Sequence, residues 1–245
     1  MTLTKIASPG HEEIYRVDDP AVGLTGFIAI HSTEAGPAAG GLRMRPYATA
    51  DEALEDVRRL SEGMTYKNAA AGLPLGGGKA VIIGDPTTSK TPEMLRAFGR
   101  AIDSLNGRYI TAEDMGMSPA DMALLADETP YVAGLADGEF ASGDPSPITA
   151  RSIFNAIRTA RAHKVGSADL QGVTVAVQGL GHVGWYLCQF LNDAGAGLIV
   201  TDVDPQRIER AVAAFGARPV ALNKICTGPA DTFAPCSHGV TPHAA

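Results

Sequence analysis

The sequence predicts an α/β protein of two domains, residues 1–147 and 148–245, the second built as a Rossmann-type βαβ unit. Three observations carry that prediction. Short apolar runs suited to buried strands alternate with segments of helical spacing. Between residues 172 and 202 a strand, a glycine-rich turn, a helix and a second strand follow in order. Gly143-Asp144-Pro145-Ser146-Pro147 then separates this region from the rest with residues that resist both helix and sheet.

In the first domain, residues 24–31 (LTGFIAIH), residues 80–83 (AVII) and Tyr109 to Ala112 read as buried strands. Thr49-x-x-Glu52 is a capping box, and Ala53, Leu54, Val57, Leu60 and Met64 follow it at helical spacing. A second helix is expected from Pro92 to Leu105, stopped by Asn106-Gly107. Ser118-Pro119 opens a third, with Asp121 near its positive end. Past the connector, Ala150, Ile153, Phe154 and Ile157 mark a helix leading to the βαβ unit.

That unit begins with Val173 to Val177 and turns at Gly179-x-Gly181-x-x-Gly184. Val183, Leu187, Cys188 and Leu191 then share one helix face, and Leu198 to Val200 runs up to Asp202. The order is that of a dinucleotide-binding fingerprint. Gly179 permits the tight turn, Gly181 lets backbone amides of the loop (Leu180, His182, Val183) approach a pyrophosphate, and Gly184 allows helix and strand to pack closely. The helix N-terminus attracts the phosphates. Asp202 stands where a carboxylate accepts hydrogen bonds from the adenosine ribose, and its charge disfavours a 2′-phosphate, so NAD is the expected cofactor. Read without a ligand, the loop is only a tight connection and Asp202 a solvated strand end. Asp204 and Arg207 follow as helix-opening residues around Pro205, although Arg207 could meet a phosphate.

Composition narrows the remaining classes. A net charge of −7 argues against general affinity for nucleic acid or anionic lipid. No apolar run approaches the ~20 residues of a membrane span, and the start, MTLTKIASPGHEE, has no apolar signal core. Three cysteines (Cys188, Cys226, Cys236) form neither a disulfide framework nor a C-x-x-C pair, and the six histidines have no ligand spacing. A reducing cytoplasm and no metal are the expectations.

Several residues of the first domain stand out chemically. Gly76-Gly77-Gly78-Lys79 is not a phosphate loop, because Leu73 replaces the first glycine and Ala80 the Ser/Thr that would hold magnesium. It places an ammonium at a strand entrance where something approaches the backbone closely. Lys67 falls about 80° round the helix from Val57 and so joins the apolar stripe, unless the helix ends earlier and the lysine reaches water. Asp114 follows a strand, and Gly40-Gly41 could admit a small ligand to the backbone.

Together these segments carry a resemblance. GPAAGGLRM around Gly40-Gly41, Met64-Thr65-Tyr66-Lys67-Asn68, Gly76-Gly77-Gly78-Lys79, Tyr109-Ile110-Thr111-Ala112-Glu113-Asp114 and Pro145-Ser146-Pro147-Ile148-Thr149 closely resemble the glutamate/leucine/phenylalanine/valine dehydrogenases, with the leucine/valine branch nearest. The match runs in order from residue 24 to residue 236. The resemblance implies a substrate-binding and oligomerisation domain followed by a Rossmann domain, with catalysis in a cleft between them and a homo-oligomeric assembly. It implies that Lys67, aided by the Gly40-Gly41 backbone, binds the α-carboxylate of an L-amino acid. It makes Lys79 the catalytic base, Asp114 the proton shuttle on the amino group and Thr149 a contact of the nicotinamide carboxamide. The implied reaction moves a hydride from Cα to NAD⁺, after which Lys79-activated water attacks the iminium carbon and ammonium leaves a 2-oxo acid.

Two points stay open at this level. A complete dinucleotide fold has about six strands, fewer can be placed before Ala245, and the resemblance dissolves after Cys236 into SHGVTPHAA. The expectation is a C-terminally truncated chain with weak or no turnover, or a non-catalytic remnant. Ala39 stands where leucine-selective relatives carry a bulkier residue and would widen the pocket toward phenylalanine, whereas Ala112 points to aliphatic substrates.

Overall fold

Two sets of alternating strands, each covered by amphipathic helices, build the protein separately, and the chain divides after Asp144 into two units. The computed structural model describes residues 1–135 and 143–237. In unit 1 the strands are β1 (Thr2–Ile6), β2 (Glu13–Asp19), β3 (Leu24–Ser32), β4 (Ala38–Ala39), β5 (Leu42–Arg45), β6 (Gly76–Ile83) and β7 (Tyr109–Ile110). Its helices are α1 (Ala50–Ala70), α2 (Pro92–Asp103) and α3 (Pro119–Ala126). Unit 2 holds α4 (Ser146–Val165), β8 (Thr174–Gln178), α5 (His182–Asp193), β9 (Gly197–Thr201), α6 (Pro205–Phe215), β10 (Arg218–Pro219) and β11 (Thr232–Pro235).

The sheet of unit 1 runs β1-β2-β3-β6-β4-β7, with β5 also paired to β6. Strand β6 is the axis. On one side it pairs antiparallel with β3; on the other it pairs parallel with β4 and then β5, which are interrupted at Gly40-Gly41. Alternation sends Ala80 and Ile82 into a core shared with Phe98 and Ile102 of α2, and Val81 into a second core with Ala53 and Val57 of α1. Lys79 alternates with Val81 and therefore faces α1. Strands β1 and β2 were not foreseen. They lie at the sheet edge with few buried side chains (Ile14, Val17), so their apolar period is weak.

The helix starts obey local chemistry. The Thr49 hydroxyl accepts the Glu52 N–H at 3.1 Å, but the Glu52 carboxylate takes the Ala48 N–H at 2.9 Å, so the expected reciprocal box is only half closed. At α3 the full box forms between Ser118 and Asp121. Tyr109 and Ile110 are the only paired strand residues of their segment, with Thr111 extending it by a single bridge to Val132.

Unit 2 is a parallel sheet, β10-β9-β8-β11, with α5 connecting β8 to β9. Val175, Val177, Leu187, Leu191 and Val200 share its core with Ala150 and Phe154 of α4. This is a partial Rossmann arrangement of the expected class. Residues after Ser237, where the family resemblance is lost, lie outside the described residues. Among the described residues no helix is long and apolar enough to cross a membrane, and no cluster of His, Cys, Asp and Glu could hold a metal.

Candidate active site

Unit 1 brings Lys79 and Asp114 together. Lys79 projects from the axial strand toward α1, and Asp114 follows β7 where Glu113 bridges to Leu42. The Lys79 ammonium lies 2.8 Å from Asp114 Oδ2, with side-chain exposures of 7% and 24%. Burial pulls the Lys79 pKa below its ordinary value, with Arg43 and Lys67 adding positive potential and Asp114 opposing. Burial disfavours the Asp114 charge, yet Lys79 and Arg43 overcome it and hold the carboxyl below its usual range.

The glycines around this pair make the geometry possible by lacking side chains. A Cβ on Gly40 would stand 1.8 Å from the Gly78 carbonyl oxygen, and one on Gly41 would stand 2.8 Å from Asp114 Cβ. The Gly40 amide itself donates to the Ile110 carbonyl at 3.1 Å, so it is committed to the sheet rather than offered to a carboxylate. That corrects half of the expected backbone contact: Gly40 contributes room. The buried Tyr109 hydroxyl donates to the Gly40 carbonyl at 2.6 Å and fixes the interruption in place.

The expectation that Lys67 joins the apolar stripe is overturned. Helix α1 continues to Ala70, so the lysine is helical, yet it is exposed. Eleven residues on from Val57 the stripe returns at Asn68, which is buried and donates to the Gly76 carbonyl at 2.6 Å. Lys67 stands one residue, about 100°, off that line. Its charge still reaches Lys79.

Sequence reasoning missed Arg43 and Asp56. Arg43 is flanked by the buried Leu42 and Met44, so alternation turns it to the face of Lys79. Its guanidinium donates to Asp114 Oδ2 at 2.9 Å and to Asp56 Oδ2 at 3.1 Å. Asp56 sits on the apolar stripe of α1 beside Val57, and a carboxylate there was the available signal.

Unit 2 holds the second candidate region. The residues Gln178, Gly179, Gly181, Asp202, Val203, Arg207, Leu222, Cys236 and Ser237 line a cavity of about 300 Å³. Gly179 turns with φ of +94°, and no side chain caps α5 after Gly181. A Cβ on Gly181 would find nothing nearer than Arg207 Nη1 at 3.8 Å, so the loop leaves space against an uncapped helix N-terminus. An anionic pyrophosphate fits that space. Leu180 is buried and His182 exposed, and Val183 packs partly against the core. Asp202 accepts the Leu180 N–H at 2.6 Å and the Asp204 N–H at 2.9 Å, so it braces the glycine loop as well as facing the cavity. Asp204 caps α6 through the Gln206 N–H, the structural role expected of it. Thr149 is exposed in the first turn of α4 and does not line this cavity.

Residues 11–131 match the Glu/Leu/Phe/Val dehydrogenase dimerisation domain. A leucine dehydrogenase of Bacillus subtilis is 50% identical over 231 residues, 94% of this chain and 64% of that protein. A phenylalanine dehydrogenase of Lysinibacillus sphaericus is 46% identical over 240 residues, 96% of this chain and 62% of that protein. The crystal structure of L-tryptophan dehydrogenase from Nostoc punctiforme superposes with a TM-score of 0.67 at 44% identity, covering 94% of this chain and 65% of that one. The chain thus spans a little under two thirds of the length of the relatives it matches.

Proposed function

The chain belongs to the Glu/Leu/Phe/Val dehydrogenase family, and on that premise we propose that it catalyses NAD-dependent oxidative deamination of branched-chain L-amino acids. In this reading it is a cytoplasmic homo-oligomer that converts leucine, valine or isoleucine to the 2-oxo acid and ammonium. The observation that carries it is the Lys79–Asp114 pair, 2.8 Å apart in a largely buried setting. NAD, when bound by unit 2, supplies the hydride acceptor. Every proton movement falls to unit 1.

Lys67 is exposed at the end of α1, where its ammonium can meet the substrate α-carboxylate. The Gly41 backbone aids it, while Gly40, bare of a side chain, lets the Gly78 carbonyl pack close. Lys79, its pKa lowered by burial, gives up its proton more readily than a free lysine and, as the neutral amine, takes one from the water that attacks the substrate carbon. Asp114, whose carboxyl Lys79 and Arg43 hold below its usual range, takes a proton from the substrate nitrogen and returns it as ammonia departs. In unit 2, the Gly179-Leu180-Gly181-His182-Val183-Gly184 loop receives the pyrophosphate, Asp202 the ribose, and Thr149 the carboxamide.

NADH absorbance with L-leucine tests the proposal. The unsubstituted chain should turn over, if slowly, and Lys79→Ala should lose at least about 10²-fold in kcat. A full rate in Lys79→Ala, or no NADH from any L-amino acid, would defeat it. A second reading, an aromatic amino acid as substrate, draws on Ala39 beside Gly40 and on the phenylalanine dehydrogenase relative. The ratio of kcat/KM for L-phenylalanine and L-leucine decides between them.

A further inference from the structure

Asp114 Oδ2 is shared by two cations, and only one of them has a role in the chemistry above. Lys79 Nζ approaches it at 2.8 Å and Arg43 Nε at 2.9 Å. Arg43 is itself largely buried, with 14% of its side chain exposed. Its Nη1 donates to Asp56 Oδ2, which also accepts the Tyr47 hydroxyl at 2.9 Å, while Asp56 Oδ1 accepts from Arg59 at 3.2 Å. Asp56 is thus anchored from strand, loop and helix, and it aims the guanidinium at Asp114. A planar guanidinium held at both edges has little freedom to turn away.

We propose that Arg43 is a positioning residue that sets the protonation state of Lys79. The proposal rests on the reading of Lys79 as the base. Braced by Asp56, Arg43 keeps Asp114 ionised and in place while taking part of its negative potential. Lys79 is then left under-compensated in a buried site, and its ammonium releases a proton more readily. Charged and titratable groups facing Lys79 are Asp114, Arg43 and Lys67. Those facing Asp114 are Lys79, Arg43 and the Tyr109 phenol, with the Met115 amide also favouring the ionised carboxylate. Those facing Arg43 are Asp114, Asp56 and Tyr47. Loss of a cation that faces Lys79 should make it harder to deprotonate, and loss of Asp114, the anion that faces it, should make it easier.

Competitive acetylation with trace acetic anhydride, read at the Lys79 peptide by mass spectrometry across pH, measures this directly on the full chain without cofactor or substrate. Arg43→Gln should raise the Lys79 midpoint by about one pH unit. Arg43→Lys, which retains the charge, should restore it to within a few tenths. Asp114→Asn should move it the opposite way. An unchanged or lowered midpoint in Arg43→Gln overturns the proposal. Should that variant fail to fold by circular dichroism, Asp56→Asn decides: removal of the brace frees Arg43 to turn away and should raise the midpoint, and an unmoved or lowered midpoint refutes it. Turnover of Lys79→Ala stands apart. Its loss together with an unmoved Arg43→Gln midpoint sinks only the role of Arg43. Retained turnover with a shifted midpoint sinks only the base assignment.

Discussion

Gly76-Gly77-Gly78 in unit 1 and Gly179-x-Gly181-x-x-Gly184 in unit 2 use the same residue for different ends. In the first cluster every place a Cβ would occupy is already filled by the protein. The nearest atoms are Ser32 O at 1.9 Å, Thr65 Oγ1 at 2.0 Å and a Tyr109 ring carbon at 2.7 Å. The strand is bare so that α1, β3 and Tyr109 can close on it, and that closure carries Lys79 toward Asp114. In the second cluster Gly184 is filled in the same way, by the Gly179 carbonyl oxygen at 1.9 Å, but Gly181 faces open space. One glycine set is consumed by packing. The other keeps a vacancy beside a helix N-terminus, the arrangement suited to a ligand.

The largest expected effect breaks the packed side of that comparison. Gly77→Ala puts a methyl group into the Thr65 hydroxyl and backbone, which cannot yield without shifting α1. Overpacked sites of this kind cost about 1–3 kcal/mol and occasionally more, and backbone that cannot give way puts this one at the upper end. Urea unfolding followed by circular dichroism should show that loss, and a variant within about 1 kcal/mol of the parent would mean that α1 does not seat on the strand as described.

Next in size is a contrast between the units in alkali. Burial pushes the Cys188 thiol up to about 12, with Cys236 adding, and burial pushes Cys236 up to about 11. Both raised groups stabilise unit 2 fully below the unfolded thiol value of 9.0, and that stability drains away as pH rises toward their folded values. Each thiol removes up to about 1.4 kcal/mol per pH unit in that window. Lys79 in unit 1 has the opposite sign: its folded pKa lies below 10.5, so the unfolded chain binds more protons there and stability rises with pH. The chain has one tryptophan, Trp185, in α5, so its fluorescence reports unit 2. Between pH 9.0 and 10.0 the urea midpoint read by Trp185 should fall, and Cys188→Ala should flatten its slope. A midpoint that holds level across that range would mean that burial does not keep these thiols protonated.

How far these features could be read from sequence depends on how local their causes are. The caps at Thr49 and Ser118, the glycine fingerprint and the strand running on from Lys79 were legible, because each depends on residues within a few positions; that β6 already starts at Gly76 was not. Lys67 was placed on the wrong line since the stripe of α1 is completed by a polar residue, Asn68, that a hydrophobic pattern does not count. Arg43 was overlooked for a different reason. Its partner Asp114 is 71 residues away and becomes a neighbour only when the segment after β7 runs beside β5, where Glu113 bridges to Leu42. Strand β2 carries too many charges to show its period, and β1, at the edge beside it, buries no side chain fully.

The open side of the glycine comparison predicts a smaller, selective effect. Gly181→Ala adds a methyl group toward the cavity with no protein atom nearer than 3.8 Å, so folding should change by less than about 1 kcal/mol. NAD affinity, measured by calorimetry, should fall about tenfold, as backbone amides are held away from the pyrophosphate. An unaltered affinity would mean that the nucleotide does not bind at this loop.

Arg207→Ala should have the smallest effect and sharpens the meaning of Asp202. The guanidinium is about half exposed, 3.4 Å from Asp204 and 3.9 Å from Asp202, distances at which a solvated pair contributes little to stability. It nevertheless lines the cavity beside the carboxylate. If Asp202 governs the ribose end, its charge repels a 2′-phosphate, Arg207 is a bystander, and NAD affinity should change by less than about threefold at a stability cost under about 0.5 kcal/mol. If Arg207 instead receives a 2′-phosphate, the parent chain should bind NADP at least as well as NAD, and the substitution should cost NADP alone. Titration of both nucleotides into both proteins separates the cases: a selective loss of NADP would reassign this end of the cavity from the carboxylate to the arginine.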